Sequence, residues 1–394
     1  MINVIKKLNI SKKILIISVY GSLLSISTQM LYSQLALYMR YELKITDSKI
    51  AVIDGFCEFL SYLIRIFSGI LSDYMRNRKL LLVVGCLVLC LVKPMFAIAN
   101  SISGILCAEI VERFGNGIQA CPRDVFISEL SSTNHLSSSF GLFKSFKTIG
   151  ALLGTVISIV MAYIGDYKLL FWSSGIPALM AILALMNIGK GRKIQKNSNV
   201  FDNPFQKKYL QSFNKKFWII IMLAGLYELG HFGESLLSLR VSKIISPRLA
   251  GITGIFVGIG QILFAYPVGL MADKCGRILM LKLCVALSII SYVLLFYSAS
   301  IWMLLIIFVL CGQQASIQSL FLSLIGENID AKLRGTAIGI FYCIIGVSYF
   351  AASSICGQLW EIADRTVFLY GAIVSLVSLV AIIAVQKYCF RNLK

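Results

Sequence analysis

The stretch "EIVERFGN", residues 109–116, sets four polar or ionisable groups into a run that is otherwise apolar. Glu109, Glu112, Arg113 and Asn116 recur at steps of three and four, so a helix carries them on one face. Glu109 and Arg113 are four apart and can form an ion pair. An arginine keeps its charge while a neighbouring carboxylate exchanges a proton, so the set suits proton handling; the alternative is a structural buried pair. A second set is Tyr227, Glu228, His231 and Glu234, with Ser238 one turn on. The unperturbed pKa of histidine, about 6.5, suits proton or solute binding, against helix–helix hydrogen bonding as the alternative. Glu228 and His231 also spell E-x-x-H, but a di-iron site needs a second such motif, so no metal or cofactor is expected. A third set, Asp54, Glu58, Ser61, Arg65, Ser68 and Ser72, marks one polar face of an earlier segment. It reads as packing between halves, as cavity lining, or as snorkelling groups near the helix ends.

The elements that hold these residues are membrane spans. The chain has 394 residues, 58% of them hydrophobic and 14% charged, with a mean hydropathy of +0.83. A soluble chain would carry roughly a quarter charged residues. Repeated apolar runs long enough to cross ~30 Å of hydrocarbon give an all-α polytopic membrane protein. Twelve spans are predicted, near 14–38, 49–71, 80–98, 103–121, 139–164 and 168–188, then near 217–239, 249–270, 279–297, 301–324, 335–359 and 367–386. Residues 1–188 form an N-terminal six-helix bundle, 189–216 a basic cytoplasmic linker and 217–394 a C-terminal six-helix bundle.

The net charge of +19 would suit a nucleic-acid binder, but its location argues otherwise. About 23 of the 37 Lys and Arg lie in the two tails and alternate loops, and about eight in the opposite loops. That asymmetry predicts both termini in the cytoplasm, and no nucleic-acid partner, since no aromatic groups interleave a basic patch. The 11 cysteines are scattered and read as small core residues. The apolar stretch after the basic start runs past Leu37 without a small-residue cleavage site, which predicts an uncleaved first helix.

Two charged turns repeat. "GILSDYMRNRK" holds Gly69 and Asp73, and "GLMADKCGR" holds Gly269 and Asp273 at the same spacing. "ISELSSTNHLSSSFGL" from Ile127 also aligns without gaps on "IGENIDAKLRGTAIGI" from Ile325, matching Glu129 to Glu327 and Gly141 to Gly339. A repeat whose halves share one topology implies two bundles related by an axis along the membrane normal, the architecture of an alternating-access carrier.

With these turns between the second and third helix of each half, the chain resembles the major facilitator superfamily along essentially its whole length. The second copy, Gly269, Ala272, Asp273, Lys274, Gly276 and Arg277, matches the family's G-x-x-x-D-x-x-G-R. The first keeps Gly69, Leu71, Asp73, Arg78 and Lys79 but has Arg76 and Asn77 where glycine and arginine are usual. "RFGNGIQACPRD" and "LGHFGESLLSLR" are similar to a prokaryotic branch carrying R-x-GKGIR-x-x-PRD and LGNFSDAFLLLR.

The resemblance implies a cytoplasmic gate. Asp73 would meet the start of the eleventh helix near Arg334 and Gly335, and Asp273 the start of the fifth near Ser137 to Gly141, each carboxylate facing a partly positive helix N-terminus. The bland alternative is that these charges only set topology. It implies that the first, fourth, seventh and tenth helices line a cavity. Ser25 and Gln29, with Ser18 and Ser22, would enter it from the first, and Gln313 and Gln314, with Ser316 and Gln318, from the tenth, unless they are packing glue. It associates an arginine at Arg113 with proton coupling. Gly141, Gly150 and Gly154 resemble half of the antiporter signature, with Thr155 in place of its proline, and join Asp54, Glu58 and Arg65 as an inter-half face. Lys144 and Lys147 stand where the branch has arginine and aspartate.

The expected function is therefore a monomeric secondary active transporter of the inner membrane. It moves a small polar solute, coupled to protons, with efflux favoured; a symporter or a transporter-derived sensor is the alternative. An enzyme is disfavoured because His135, the other histidine, has no nucleophile partner, and primary transport because no phosphate-binding G-x-x-x-x-G-K-[ST] occurs.

Overall fold

The computed structural model describes residues 12–75, 78–130, 136–164, 166–188, 213–328 and 334–389. The described residues form fourteen α-helices and no strand, as expected where lipid forces every backbone group to be satisfied within its own segment. In order they are α1 (Lys12–Tyr41), α2 (Asp47–Met75), α3 (Arg78–Ile98), α4 (Ile102–Leu130), α5 (Leu136–Ile164), α6 (Tyr167–Ser173), α7 (Gly175–Met186), α8 (Lys215–Glu228), α9 (Glu234–Val241), α10 (Ile252–Cys275), α11 (Arg277–Tyr297), α12 (Met303–Asn328), α13 (Arg334–Ile362) and α14 (Thr366–Cys389). Nine stretches among the described residues are long and apolar enough to cross a membrane. The long helices α2 and α4, which carry the acids, are not among them, nor are the short α8 and α9. Large apolar side chains such as Leu91, Leu183, Leu263 and Val380 are exposed, as a lipid-facing surface requires.

The chain divides into two compact units, residues 1–45 with 60–196 and residues 46–59 with 197–394. The sequence boundaries put 46–59 in the first bundle, whereas its contacts group it with the second. One helix, α2, thus serves both units.

In the first unit α1 packs on α5 at backbone distance. A Cβ added to Gly150 would lie 2.3 Å from the carbonyl oxygen of Ser22, and one on Gly154 2.6 Å from that of Ile26. The core there joins Ile14, Ile17, Tyr20, Leu82, Cys86, Phe126, Phe143 and Leu185. In the second unit α10 and α12 approach as closely: a Cβ on Gly260 would lie 2.2 Å from the Phe308 carbonyl oxygen. Without a hydrophobic drive between helices in lipid, small residues that admit such contact make van der Waals packing the source of cohesion.

Two expected spans are broken. Between α6 and α7 the break falls at Ser174, whose carbonyl accepts from Ser27 Oγ at 2.6 Å. The span expected at 217–239 divides into α8 and α9, leaving residues 229–233 outside any helix.

Candidate functional site

In the first unit the acids of α4 meet two other helices. Glu112 Oε1 accepts from Lys93 Nζ of α3 at 2.7 Å, and both side chains are fully buried. Glu109 is 3% exposed, one turn away. The Arg113 guanidinium lies 4.8 Å from the centroid of the Tyr32 ring of α1, a cation–π contact. Lys93 and Tyr32 were not picked out from the sequence. A lysine inside an apolar span is itself the signal that could have found Lys93.

Other groups expected to line this cavity are placed more modestly. Ser25 is buried, and Gln29 and Asn116 are half-buried. On α1, Ser18 donates to the Ile14 carbonyl at 2.8 Å, and the Ser33 hydroxyl shares a hydrogen bond with that of Ser158 on α5. These bonds fit the packing-glue alternative. Gly150 and Gly154, expected on an inter-half face, instead pack within the first unit against α1. The physical reason is that both are closed over by α1 backbone, not by side chains that could move aside.

In the second unit the break in the seventh span organises the site. The freed carbonyls at the end of α8 take donors from other helices, with Tyr370 Oη to Leu229 O at 2.8 Å and Tyr292 Oη to Gly230 O at 3.1 Å. Gly233 admits Asp54 of α2 so closely that a Cβ would overlap its Oδ2. Asp54 also accepts from Ser235 Oγ. Around the break, Glu228 Oε1 lies 3.1 Å from His231 Nδ1, and the His231 ring meets Tyr349 edge-on at 5.6 Å. Tyr227 Oη reaches Ser288 Oγ at 3.3 Å, Ser288 donates to Gln313 Oε1 at 3.1 Å, and Gln314 Nε2 donates to Tyr292 Oη at 3.0 Å. Gln313 and Gln314 thus enter this network. Glu234 opens α9 in its first turn, where a carboxylate favours the helix dipole, and is exposed. Glu58, half-buried on α2, belongs to the same unit. The single stripe of Tyr227, His231, Glu234 and Ser238 expected on a continuous seventh helix does not form, because Tyr227 and Glu234 sit on opposite sides of the break.

The second unit also holds a cluster with no counterpart in the sequence reading. Trp360 Nε1 donates to Asp47 Oδ2 at 2.6 Å, and Lys243 Nζ stands 5.2 Å from the Trp360 ring centroid. Asp364 accepts from Arg240 at 2.5 Å and from Lys243 at 2.8 Å. Burial alone would raise the Asp364 carboxyl, but these two cations outweigh it and hold the group below the usual carboxylate range.

Of the expected gate, the side chains of Gly69, Asp73, Arg76, Arg78, Asp273 and Arg334, with those of Arg65 and Gly141, lie outside the described residues. Two of the remaining basic members, Lys79 and Arg277, bind within their own unit. Lys79 Nζ donates to the carbonyls of Met186, at 3.2 Å, and Ile188, closing the end of α7. Arg277 donates to Ser323 O at 3.4 Å in the last turns of α12. The Lys79 contacts satisfy carbonyls at the C-terminal end of α7. Gly276 ends α10 with φ +96°, a conformation that glycine adopts without strain. Lys274 is exposed. Gly269, expected to allow close packing, has open space where a Cβ would stand among the described residues.

The profile of the Major Facilitator Superfamily matches residues 17–239 and 216–388. The chain belongs to this superfamily. An uncharacterized MFS-type transporter of Methanocaldococcus jannaschii is 26% identical over 341 residues, covering 84% of each chain. The class B tetracycline resistance protein of Escherichia coli is 25% identical over 182 residues, 45% of this chain and 44% of that one. Among solved structures, the nucleoside transporter NupG superposes with a TM-score of 0.81 at 15% identity, over 95% of this chain and 99% of that one. A D-xylose-proton symporter gives 0.71 at 17%, over 93% and 96%. At such identities the two structures establish the fold. This superfamily member is therefore a multi-pass membrane transporter.

Proposed function

We propose that the chain is a twelve-span secondary active transporter of the inner membrane, with both termini cytoplasmic, working as a monomer by alternating access. It moves a small polar solute in exchange for protons, in the direction of efflux. The observation that carries this reading is a polar tract within the helices of each unit. Lys93, Glu109, Glu112, Arg113 and Tyr32 form one; Tyr227, Glu228, His231, Gln313 and Gln314 form the other. Ionisable groups at membrane depth are costly and mark solute or proton pathways. The first tract supplies charge and the second mainly neutral hydrogen-bonding groups, a combination suited to a polar solute. A D-xylose-proton symporter among the fold relatives has this architecture in a proton-coupled carrier.

The test is thermal unfolding of the purified protein against a library of metabolites and drugs. A ligand at about 100 times its dissociation constant stabilises the native state by roughly 2.7 kcal/mol. A polar compound should raise the unfolding temperature, and Arg113→Ala should abolish that rise. The compound should then drive proton movement in proteoliposomes. A library in which only lipid-like compounds bind would overturn the polar-solute reading.

A further inference from the structure

We propose that Lys93 and Glu112 form the proton switch of the first unit, with Glu112 as the group that takes the proton and Lys93 as the fixed charge that makes its protonation consequential. This rests on the proton-coupled carrier reading and names the groups through which it acts.

The pair is an expensive way to hold α3 on α4. Two charges taken fully out of water regain their hydration only when the geometry is good and further hydrogen bonds satisfy the remaining valences. Here the contact is short, but the remaining valences are poorly served. Glu112 Oε2 is buried and has no hydrogen-bond partner among the described residues, and the only ion pair described for the Lys93 ammonium is with Glu112. Apolar residues of similar volume would join these helices at least as well. A role beyond cohesion accounts for the charges.

The physical consequence of protonation is direct. When Glu112 takes a proton, its carboxylate becomes a neutral acid, and Lys93 remains an ammonium ion. The site changes from neutral to a net charge of +1, and the buried lysine loses its counter-charge. A lone buried cation is far less stable than the pair, so the protonated protein is driven toward any arrangement that hydrates Lys93. Deprotonation restores the dry pair. One proton thus selects between two arrangements of the same helices, and the bias comes from Lys93.

The surrounding backbone is cut where such a change needs it to yield. Pro94 follows Lys93 directly and cannot donate to the carbonyl one turn earlier, so one backbone hydrogen bond of α3 is missing next to Lys93. The break between α6 and α7 falls against the same residue: a Cβ on Gly175 would meet the Lys93 Cβ at 3.8 Å. Two helix interruptions therefore flank the lysine. The other titratable or charged neighbours are Cys90 on α3, Glu109 and Arg113 on α4, and Tyr32 on α1 beneath Arg113. Tyr38 on α1 and Tyr167 on α6 lie 5.8 Å apart with their rings tilted, in an aromatic cluster that includes Phe171 on α6 and Phe96 on α3. Tyrosine and cysteine ordinarily titrate above about pH 8, and the acid nearest to Glu112 along α4 is Glu109, one turn away.

The experiment needs no transported solute, because the probe is the proton. Infrared difference spectra of the full chain reconstituted in lipid, taken between about pH 8 and pH 5, report the carbonyl stretch of protonated carboxyl groups. The expected result is a titrating band that disappears in Glu112→Gln, persists in Glu109→Gln and shifts in frequency in Glu112→Asp. In Lys93→Met the band should be present across the range, because an acid without its counter-cation stays neutral in a dry site. Glu112→Asp keeps the charge, so it answers the question even if Glu112→Gln does not fold. A titrating band that survives Glu112→Gln and is lost in Glu109→Gln overturns this assignment and leaves the proton-coupled carrier standing. Absence of any titrating band in the native chain overturns it as well. A Glu112 band beside a ligand whose flux ignores the proton gradient overturns the coupled-carrier reading instead, while the switch itself stands.

Discussion

At the scale of single residues, what matters most in this molecule is how near a neighbouring backbone comes. Gly150 and Gly269 are both glycines in helices of a membrane protein, yet their surroundings are opposite. At Gly150 the obstacle to a side chain is the Ser22 carbonyl, part of a helix that cannot step aside; at Gly269 there is open space among the described residues. Gly150→Ala should therefore cost about 1–3 kcal/mol of stability, the range for overpacking. Gly269→Ala should be neutral or stabilise by roughly 0.5–1 kcal/mol, because alanine is the better helix former. Thermal unfolding of the two variants in the same lipid separates these outcomes, and equal losses in both would contradict the packing described here.

Among elements, the Asp364 cluster of the second unit carries a pH dependence. Arg240, in the last turn of α9, and Lys243, just beyond it, hold Asp364 between α13 and α14, and Lys243 also covers Trp360. The Asp364 carboxyl is held below its ordinary value, so the folded state prefers the charged form. Its contribution to stability is fully present above the unfolded pKa of about 3.9 and is lost as pH falls through the lower folded value. Lys243 is partly exposed, so the contribution is screened and modest. The unfolding temperature should fall below about pH 4 in the native chain and fall less in Asp364→Asn, since that variant has already lost the ionised partner. Identical acid profiles would remove the cluster from the stability of these loops.

For the whole molecule, the repeated glycine–aspartate turns carry the proposal of a reversible cytoplasmic gate. A carboxylate at a helix N-terminus contributes roughly 0.3–2 kcal/mol, small enough for thermal motion and solute binding to reverse. Asp273→Asn should therefore increase the labelling of cysteines introduced at the cytoplasmic ends of the spans. Unchanged labelling would leave the turns with a role in topology alone. Of the basic residues at these turns, Lys79 donates to the carbonyl of Met186 and Arg277 to that of Ser323.

Much of this protein was legible in the chain because membrane insertion reads properties that add up along it. Hydropathy set the helical class, the excess of Lys and Arg in alternate loops the expected orientation, and the paired turns the twofold repeat. The polar composition of the fourth and seventh spans likewise stands in the sequence, because a charged residue in an apolar run is conspicuous whatever it touches. What the tertiary structure decided are the partnerships between helices far apart in sequence. Lys93 finds Glu112, Trp360 finds Asp47, and residues 46–59 associate with the second unit. The break in the seventh span belongs here too. Periodicity predicts a continuous helix, and the alternative becomes stable only because hydroxyl groups of Tyr292 and Tyr370, from two other helices, satisfy the carbonyls it frees. No window of sequence around residues 229–233 contains those donors, so only the packed molecule could supply them.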